Sequence, residues 1–269
     1  MLERQSAVAT NRRRATYEVA VARTQSEVEE AQRLRYQVFF EEMGAQAAQR
    51  IVATERDVDQ YDTDCEHLLV RESESGMVVG CYRIMRPEAA LRRGAFYSDS
   101  EFDLSRLAHI RSTTAEVGRA CIHPDFRNGA TIMLLWSGLA RFMVENGYEY
   151  VIGCASIPLS EGHENACAVY EAVAATNLAP AEYRVFPRIP YPLENSQQSL
   201  VGSSNVTPIR TTKPHIPALI KGYTRLGAWI GGALAWDADF NTADLFVLLP
   251  IKRMSGAYAR HFLGGESAA

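Results

Sequence analysis

The stretch Thr114–Trp136, TAEVGRACIHPDFRNGATIMLLW, limits the possible folds of this chain more than any other. It opens as a strand, expected over Thr114–Ile122 and carrying Glu116 and Arg119, and crosses a Pro-Asp turn into a loop of Arg127, Asn128 and Gly129. It then enters an apolar helix expected over Thr131 to Val144. The first amides of a helix have no intrahelical partner, and the helix dipole adds positive potential there, so a strand, loop and helix in this order form an anion site. Arg127 with the amides of Asn128, Gly129, Ala130 and Thr131 therefore reads as a phosphate cradle. Glu116 and Arg119 are an odd number of residues apart and face opposite sides of an ideal strand. A β-bulge around Gly118 is needed to aim both at one cleft.

The segments around this unit alternate between strands and helices. Tyr17–Ala22 reads as a first strand. Ser26 with Glu29 has capping-box spacing ahead of a helix expected over Glu27–Met43, with Val28, Ala31, Leu34 and Val38 on one face. Arg35 and Phe39 lie one turn apart on another face. Glu66–Arg71 and Met77–Met85 read as a hairpin, with Arg83 near the end of its second strand. Phe96–Leu107 reads as an irregular, lid-like segment, and Tyr148–Ile157 as a buried strand beside the Glu116 strand. A helix over Asn165–Leu178, a strand over Tyr183–Ile189, a short helix over Pro217–Leu226, a strand over Phe246–Ile251 and a closing helix over Met254–Phe262 complete the order. Single helices between strands, with an early hairpin, predict an α/β fold around a sheet that is mixed rather than purely parallel. Its core is expected over residues 16–193, after a disordered basic tail at 1–15. A polar linker or excursion follows at 194–216, and a C-terminal extension that packs on the core at 217–269.

Composition excludes several classes. A net charge of −4 gives no reason to expect nucleic acid. The five cysteines show no Cys-x-x-Cys spacing, so neither a disulfide framework nor a zinc site is expected, and a reducing cytoplasm fits. Asp57, Asp59 and Asp62 cluster in one loop but lack the glycine and glutamate spacing of an EF-hand, so no metal is expected. The basic tail Arg12–Arg14 precedes no apolar run of the kind a secretory signal needs, and no stretch reads as a membrane span.

The Glu116 strand, the Arg127 loop and the following helix resemble the central motif of the Gcn5-related N-acetyltransferase (GNAT) superfamily, which holds the pantetheine and phosphate of an acyl thioester. The resemblance implies a three-layer sandwich with a central mixed, mostly antiparallel sheet flanked by helices, and a bulge like the one required here is a feature of that superfamily. Arg35, Phe39, the Asp59-Gln-Tyr-Asp62 loop, Arg83, Glu116 and Arg119 together resemble the acyl-homoserine lactone synthases, although the tryptophan those enzymes carry shortly after the phenylalanine is absent. A longer resemblance, over residues 33–263, is to the L-ornithine N-alpha-acyltransferases of ornithine-lipid synthesis. It rests on phrases such as LRYQVFFEEMGA, DQYDTDCEHLLV, FYSDSEFDL and DFNTADLFVLLP.

This resemblance implies transfer of a (3-hydroxy)acyl group from acyl carrier protein to the α-amine of L-ornithine. The carrier's phosphopantetheine thioester would be a co-substrate, with no tightly bound cofactor. It makes Glu116 the candidate general base, with Arg119 beside it, because a mostly protonated amine must lose a proton before it attacks. Arg35, Phe39, Asp59, Asp62 and Arg83 become candidates for shaping the acceptor site; which carboxylate meets which amine stays open. Arg92 and Arg93 are expected to meet the acidic carrier. A cytoplasmic enzyme that touches the inner membrane surface transiently is expected, because its product is a lysolipid. An acyl-homoserine lactone or other N-acyl amino acid synthase, and a hemolysin-like membrane-active protein, are the alternatives.

Overall fold

The computed structural model describes residues 16–45, 49–192 and 214–254. The basic tail, nearly all of the 194–216 excursion and all but the first residue of the expected closing helix lie outside these residues.

The strands are β1 (Tyr17–Val21), β2 (Cys65–Glu72), β3 (Val78–Met85), β4 (Phe102–Asp103), β5 (Thr114–Ile122), β6 (Tyr150–Pro158), β7 (Phe186–Pro187), β8 (Trp229–Ile230), β9 (Ala235–Asp237) and β10 (Thr242–Pro250). The helices are α1 (Gln25–Tyr36), α2 (Gln49–Thr54), α3 (Pro87–Arg93), α4 (Ala130–Glu145), α5 (His163–Asn177) and α6 (Ala218–Leu226). The main sheet runs β1-β2-β3-β5-β6-β10-β8, with β9 pairing β10 from outside this path. All its pairs are antiparallel except β5 with β6.

Alternation along β2 separates the two covering layers. Leu68 and Val70 join Tyr82, Leu135 and Trp136 in the core beneath α4. Leu69 points the other way and packs with Ala31, Leu34 and Val38 of α1. The 96–110 segment extends the α1 layer, where Phe96, Phe102 and Leu107 pack on Ile152, Phe246 and Leu248. This is the expected three-layer arrangement. The segment expected as an extension supplies α6 and three strands, and β10 pairs with β6 over nine residues inside the main sheet.

Three local expectations are corrected. The helix cap lies two residues earlier: the Thr24 hydroxyl accepts from the Glu27 amide and Glu27 accepts from the Thr24 amide, the same Thr-x-x-Glu spacing moved upstream. The helix does not continue as α to Met43; from Gln37 to Glu42 it widens to a π-helix, in which the Met43 amide donates to Val38. Only Phe186 and Pro187 of the expected 183–189 strand are extended in a ladder, because Pro180 opens a 3-10 turn over Ala181–Tyr183.

One irregularity positions the site. β5 and β6 are in register from Thr114 opposite Tyr150 to Glu116 opposite Ile152, where their ladder ends although the strands continue to Ile122 and Pro158. At Gly153 a Cβ would come within 2.3 Å of the Val117 carbonyl oxygen, so only glycine fits where the strands begin to part. No helix among the described residues is long and apolar enough to cross a membrane.

Candidate active site

A cavity of about 560 Å³ opens where β5 and β6 part. Its walls include Glu116, Arg119 and Ile122 on one side, Cys154 and Ser156 on the other, and Phe39, Tyr97, Asp237, Phe240 and Asp244 around them. Arg83 also reaches it. A smaller apolar pocket of about 50 Å³ shares Val117, Trp136, Ala155 and Tyr223 with it and continues between Met143, Leu226 and Leu249.

The required bulge is present. Cys81 of β3 faces Cys121 of β5 while Arg83 faces Gly118, so three residues of β5 span the space of two on β3. The left-handed residue is Arg119, at φ 51°, rather than Gly118. A non-glycine residue in that region is strained and holds only where its surroundings fix it.

A closed ring of charges fixes it. Arg35 pairs with Asp57 at 2.8 Å and with Asp62 at 2.9 Å. Arg83 pairs with Asp62 at 3.0 Å and with Asp59 at 2.6 Å. Arg119 closes the circuit to Asp59 at 3.3 Å and to Asp57 at 3.1 Å. Each arginine thus bridges two aspartates, and each aspartate two arginines. Burial works against the charged guanidinium groups, but Asp57 and Asp62 for Arg35, and Asp59 for Arg83, raise both arginine pKa values above normal. Burial likewise pushes Asp62 up, yet Arg35 and Arg83 outweigh it and hold its carboxyl at about 2. Asp59 is lowered in the same way, chiefly by Arg83.

Of the expected acceptor-site residues, Arg35 and Asp62 are buried in this ring at 1% and 7% exposure, and neither they nor Asp59 are among the cavity residues. Arg83 and Phe39 do reach the cavity, and Phe39 meets Phe240 edge to face. Asp57, grouped with its neighbours in the sequence but not singled out, is the aspartate that joins Arg35 to Arg119. The three loop aspartates are matched by three arginines.

Glu116 does not pair with Arg119. Its carboxylate accepts from the Tyr97 amide at 2.6 Å, the Ser98 amide at 2.7 Å and the Ser98 hydroxyl at 2.5 Å. Burial raises its pKa against these donors, which pull it down. The lid-like 96–107 segment therefore supplies the cradle of the candidate base. Sequence inspection missed this, because an 18-residue separation carries no periodic signal.

The phosphate loop is satisfied internally in part. The Ala130 amide is capped by Asn128 Oδ1 at 3.0 Å, and Thr131 Oγ1 donates to the Phe126 carbonyl. Gly129 takes the left-handed turn at φ 84°. Arg127 forms two parallel bonds to Glu42, at 2.5 and 2.6 Å, so an incoming anion competes with that carboxylate. Of the two arginines expected at the carrier surface, Arg93 is committed to Asp64 at 2.8 Å and stacks on Tyr61, while Arg92 is exposed.

The ring predicts acid sensitivity. An aspartate unfolded at a pKa of ~3.9 and folded at about 2 adds about 2 kcal/mol of stability that is complete above pH ~5 and lost as pH falls through about 2. Asp62→Asn leaves Arg35 with Asp57 alone and Arg83 with Asp59 alone, and the buried ring with one uncompensated positive charge, so urea unfolding at pH 7 is expected to show a loss of ~3 to 5 kcal/mol. The variant's stability is also expected to fall less steeply with acid than that of the parent.

Residues 34–137 match the acetyltransferase (GNAT) domain family. The L-ornithine N(alpha)-acyltransferase of Agrobacterium fabrum is 36% identical, covering 94% of this chain and 86% of that protein. The protein of the same name from Rhizobium meliloti is 34% identical over 92% and 84%. Among solved structures, the AHL synthase LasI superposes with a TM-score of 0.52 at 12% identity, covering 95% of this chain and 98% of that one. FeeM, an N-acyl amino acid synthase from uncultured soil microbes, gives 0.51 at 12% identity, covering 89% and 93%; these two likenesses concern the fold. On sequence identity over nearly its full length, the chain belongs to the L-ornithine N(alpha)-acyltransferase family, built on a GNAT domain.

Proposed function

We propose that this chain transfers an acyl group from the phosphopantetheine thioester of acyl carrier protein to the α-amine of L-ornithine, giving N-acyl-ornithine, the first step of ornithine-lipid synthesis. The observation that carries this reading is the cavity at the parted strands, with the buried Glu116 carboxylate in its wall and an apolar pocket alongside. The pantetheine arm fits between β5 and β6, where the strand edges are not paired with each other. Its phosphate lies toward Arg127 and the start of α4, displacing Glu42, and the acyl chain runs toward the apolar pocket. Acyl carrier protein rather than coenzyme A is the donor we propose, following the family resemblance.

The ammonium of the acceptor gives a proton to Glu116, directly or through one water, and the neutral amine attacks the thioester carbonyl. A C–N bond forms, the C–S bond breaks, and the thiol leaves on the carrier with the second amine proton. The donors from Tyr97 and Ser98 hold the carboxylate in one orientation, while burial keeps it basic enough to accept a proton. Arg119, held over the Tyr97 and Phe240 rings, keeps this wall in place. Because the product is a single-chain lipid, the enzyme works at the inner membrane surface through transient contact.

Two measurements test the proposal. Purified protein supplied with acyl carrier protein thioesters, acyl-coenzyme A and a panel of amino acids is expected to yield N-α-acyl-ornithine, faster from the carrier. Equal turnover with both donors removes the carrier from the reading, and a lactone product places the chain with the homoserine lactone synthases. Liposome flotation during turnover is expected to carry a fraction of the protein upward.

Glu116→Gln preserves shape but not proton acceptance, so kcat is expected to fall ~10² to 10⁴-fold with the fold intact. In the parent the rate rises with pH through an apparent pKa above the ordinary carboxylate range, because burial raises the Glu116 pKa. That inflection is expected to flatten in the variant. Near-normal turnover with an unchanged pH profile rules Glu116 out as the base.

A further inference from the structure

The ring leaves its own six charges balanced, but the opposite wall of the cavity holds acids with no arginine or lysine paired to them among the described residues. Asp244 lies on β10, inside a run of apolar residues, and is 3% exposed. Its carboxylate accepts from the hydroxyls of Thr242 at 2.7 Å and Ser156 at 3.3 Å, which are neutral donors. Glu101 approaches it from the lid-like segment, and both Glu101 carboxylate oxygens are cut off from solvent, with the neutral Tyr97 and Cys154 side chains beside them. Ligand atoms of Glu101, Asp244 and Cys154 all lie within 4.8 Å of one another. Asp237, which is held by the amides of Asp239 and Phe240, lines the cavity with Asp244, while Glu101 lies behind Asp244 and is not among the cavity residues. Burial, with the charge of Asp244 on Glu101 and of Asp237 on Asp244, pushes both the Glu101 and Asp244 carboxyls up.

We propose that Asp244 and Glu101 form the subsite for the cationic side-chain end of the acceptor amino acid and so select a diamine. This rests on the proposed acyl transfer to ornithine and assigns residues to its selectivity. A buried carboxylate with no cation paired to it is costly unless a positive charge meets it, and an ammonium supplies that charge with its own donors. The subsite is connected to the candidate base. The Ser98 hydroxyl donates to Glu116 at 2.5 Å and lies 3.4 Å from Cys154 Sγ, which in turn borders Glu101 and Asp244. One carboxylate pole thus serves the reacting amine and a second, a short contact chain away, serves the other amine. Ornithine carries two amines separated by four carbons, matching a cavity with two anionic poles. An acceptor without a side-chain amine leaves the buried acids unsatisfied, and this penalty gives the discrimination.

The test is equilibrium binding to the full chain by calorimetry, comparing ornithine with 2-aminopentanoate, which has the same carbon skeleton but lacks the terminal amine. The parent is expected to prefer ornithine at least ~100-fold. Asp244→Asn and the isosteric Glu101→Gln are each expected to cut that preference to under ~10-fold, with melting profiles confirming that they fold. Should Asp244→Asn not fold, Glu101→Gln carries the same expectation. An unchanged preference in the folded variants overturns the assignment. So does stoichiometric binding of Mn²⁺ or Zn²⁺ that both variants abolish, which would make the cluster a cation site. Acyl transfer to ornithine with unchanged binding preference sinks the subsite but leaves the enzyme reading intact. A preference lost in the variants, without transfer from any thioester, has the opposite meaning.

Discussion

The structure depends on six charges that neutralise one another. Arg35, Arg83 and Arg119 come from a helix, a hairpin strand and the central strand, while Asp57, Asp59 and Asp62 come from one short loop. Removing six ions from water is expensive, and an apolar core of similar volume would be no less stable. The ring therefore makes better sense as a device for geometry than for stability. It fastens Arg119 in a left-handed conformation that no side chain favours, which sustains the bulge in β5 next to where that strand separates from β6. The cavity is the consequence. Arg35 also sits one residue before the end of α1, so the same anchor positions the π-helical turn that brings Phe39 to the cavity wall.

A neutral ring has a chemical consequence. Asp59 and Arg119 are the members nearest solvent, at 20% and 14% side-chain exposure, and each is already paired twice. An acceptor amine finds little uncompensated charge there. In the cavity wall, the carboxylates held by neutral donors alone are Glu116 on β5, Asp244 on β10 and Asp237 on β9, with Glu101 behind Asp244. The structure thus separates acids that build the site from acids able to meet a cation. The same division explains why a chain with three aspartates in six residues need not bind a metal in that loop.

Much of the frame was legible because it is local. β5 was read with both ends correct, and β2 and β3 to within one residue, since alternation and turn residues mark such strands directly. The bulge was legible by parity alone, because residues 116 and 119 cannot share a face without it. What escaped reading depends on long-range closure. Arg35 and Asp57 are 22 residues apart, and Ser98 and Glu116 are 18 apart in an irregular segment. Asp244 sits within ADLFVLLP, where hydropathy gives no reason to separate an acid from a strand edge. The cap slipped because Thr24-x-x-Glu27 and Ser26-x-x-Glu29 have the same spacing, and only packing chooses between them.

Amide hydrogen exchange across β5 tests most directly whether the ring holds the site open, using Asp57→Asn, which breaks the link between Arg35 and Arg119. The account predicts faster exchange at Gly118–Ile122 and at the Tyr97 and Ser98 amides that cradle Glu116. Ala115 and Glu116, inside the intact ladder with β6, should keep the parent's protection. Unchanged protection throughout β5 and the 97–98 turn in a folded variant would contradict it, and would mean that the bulge and the cavity stand without the ring.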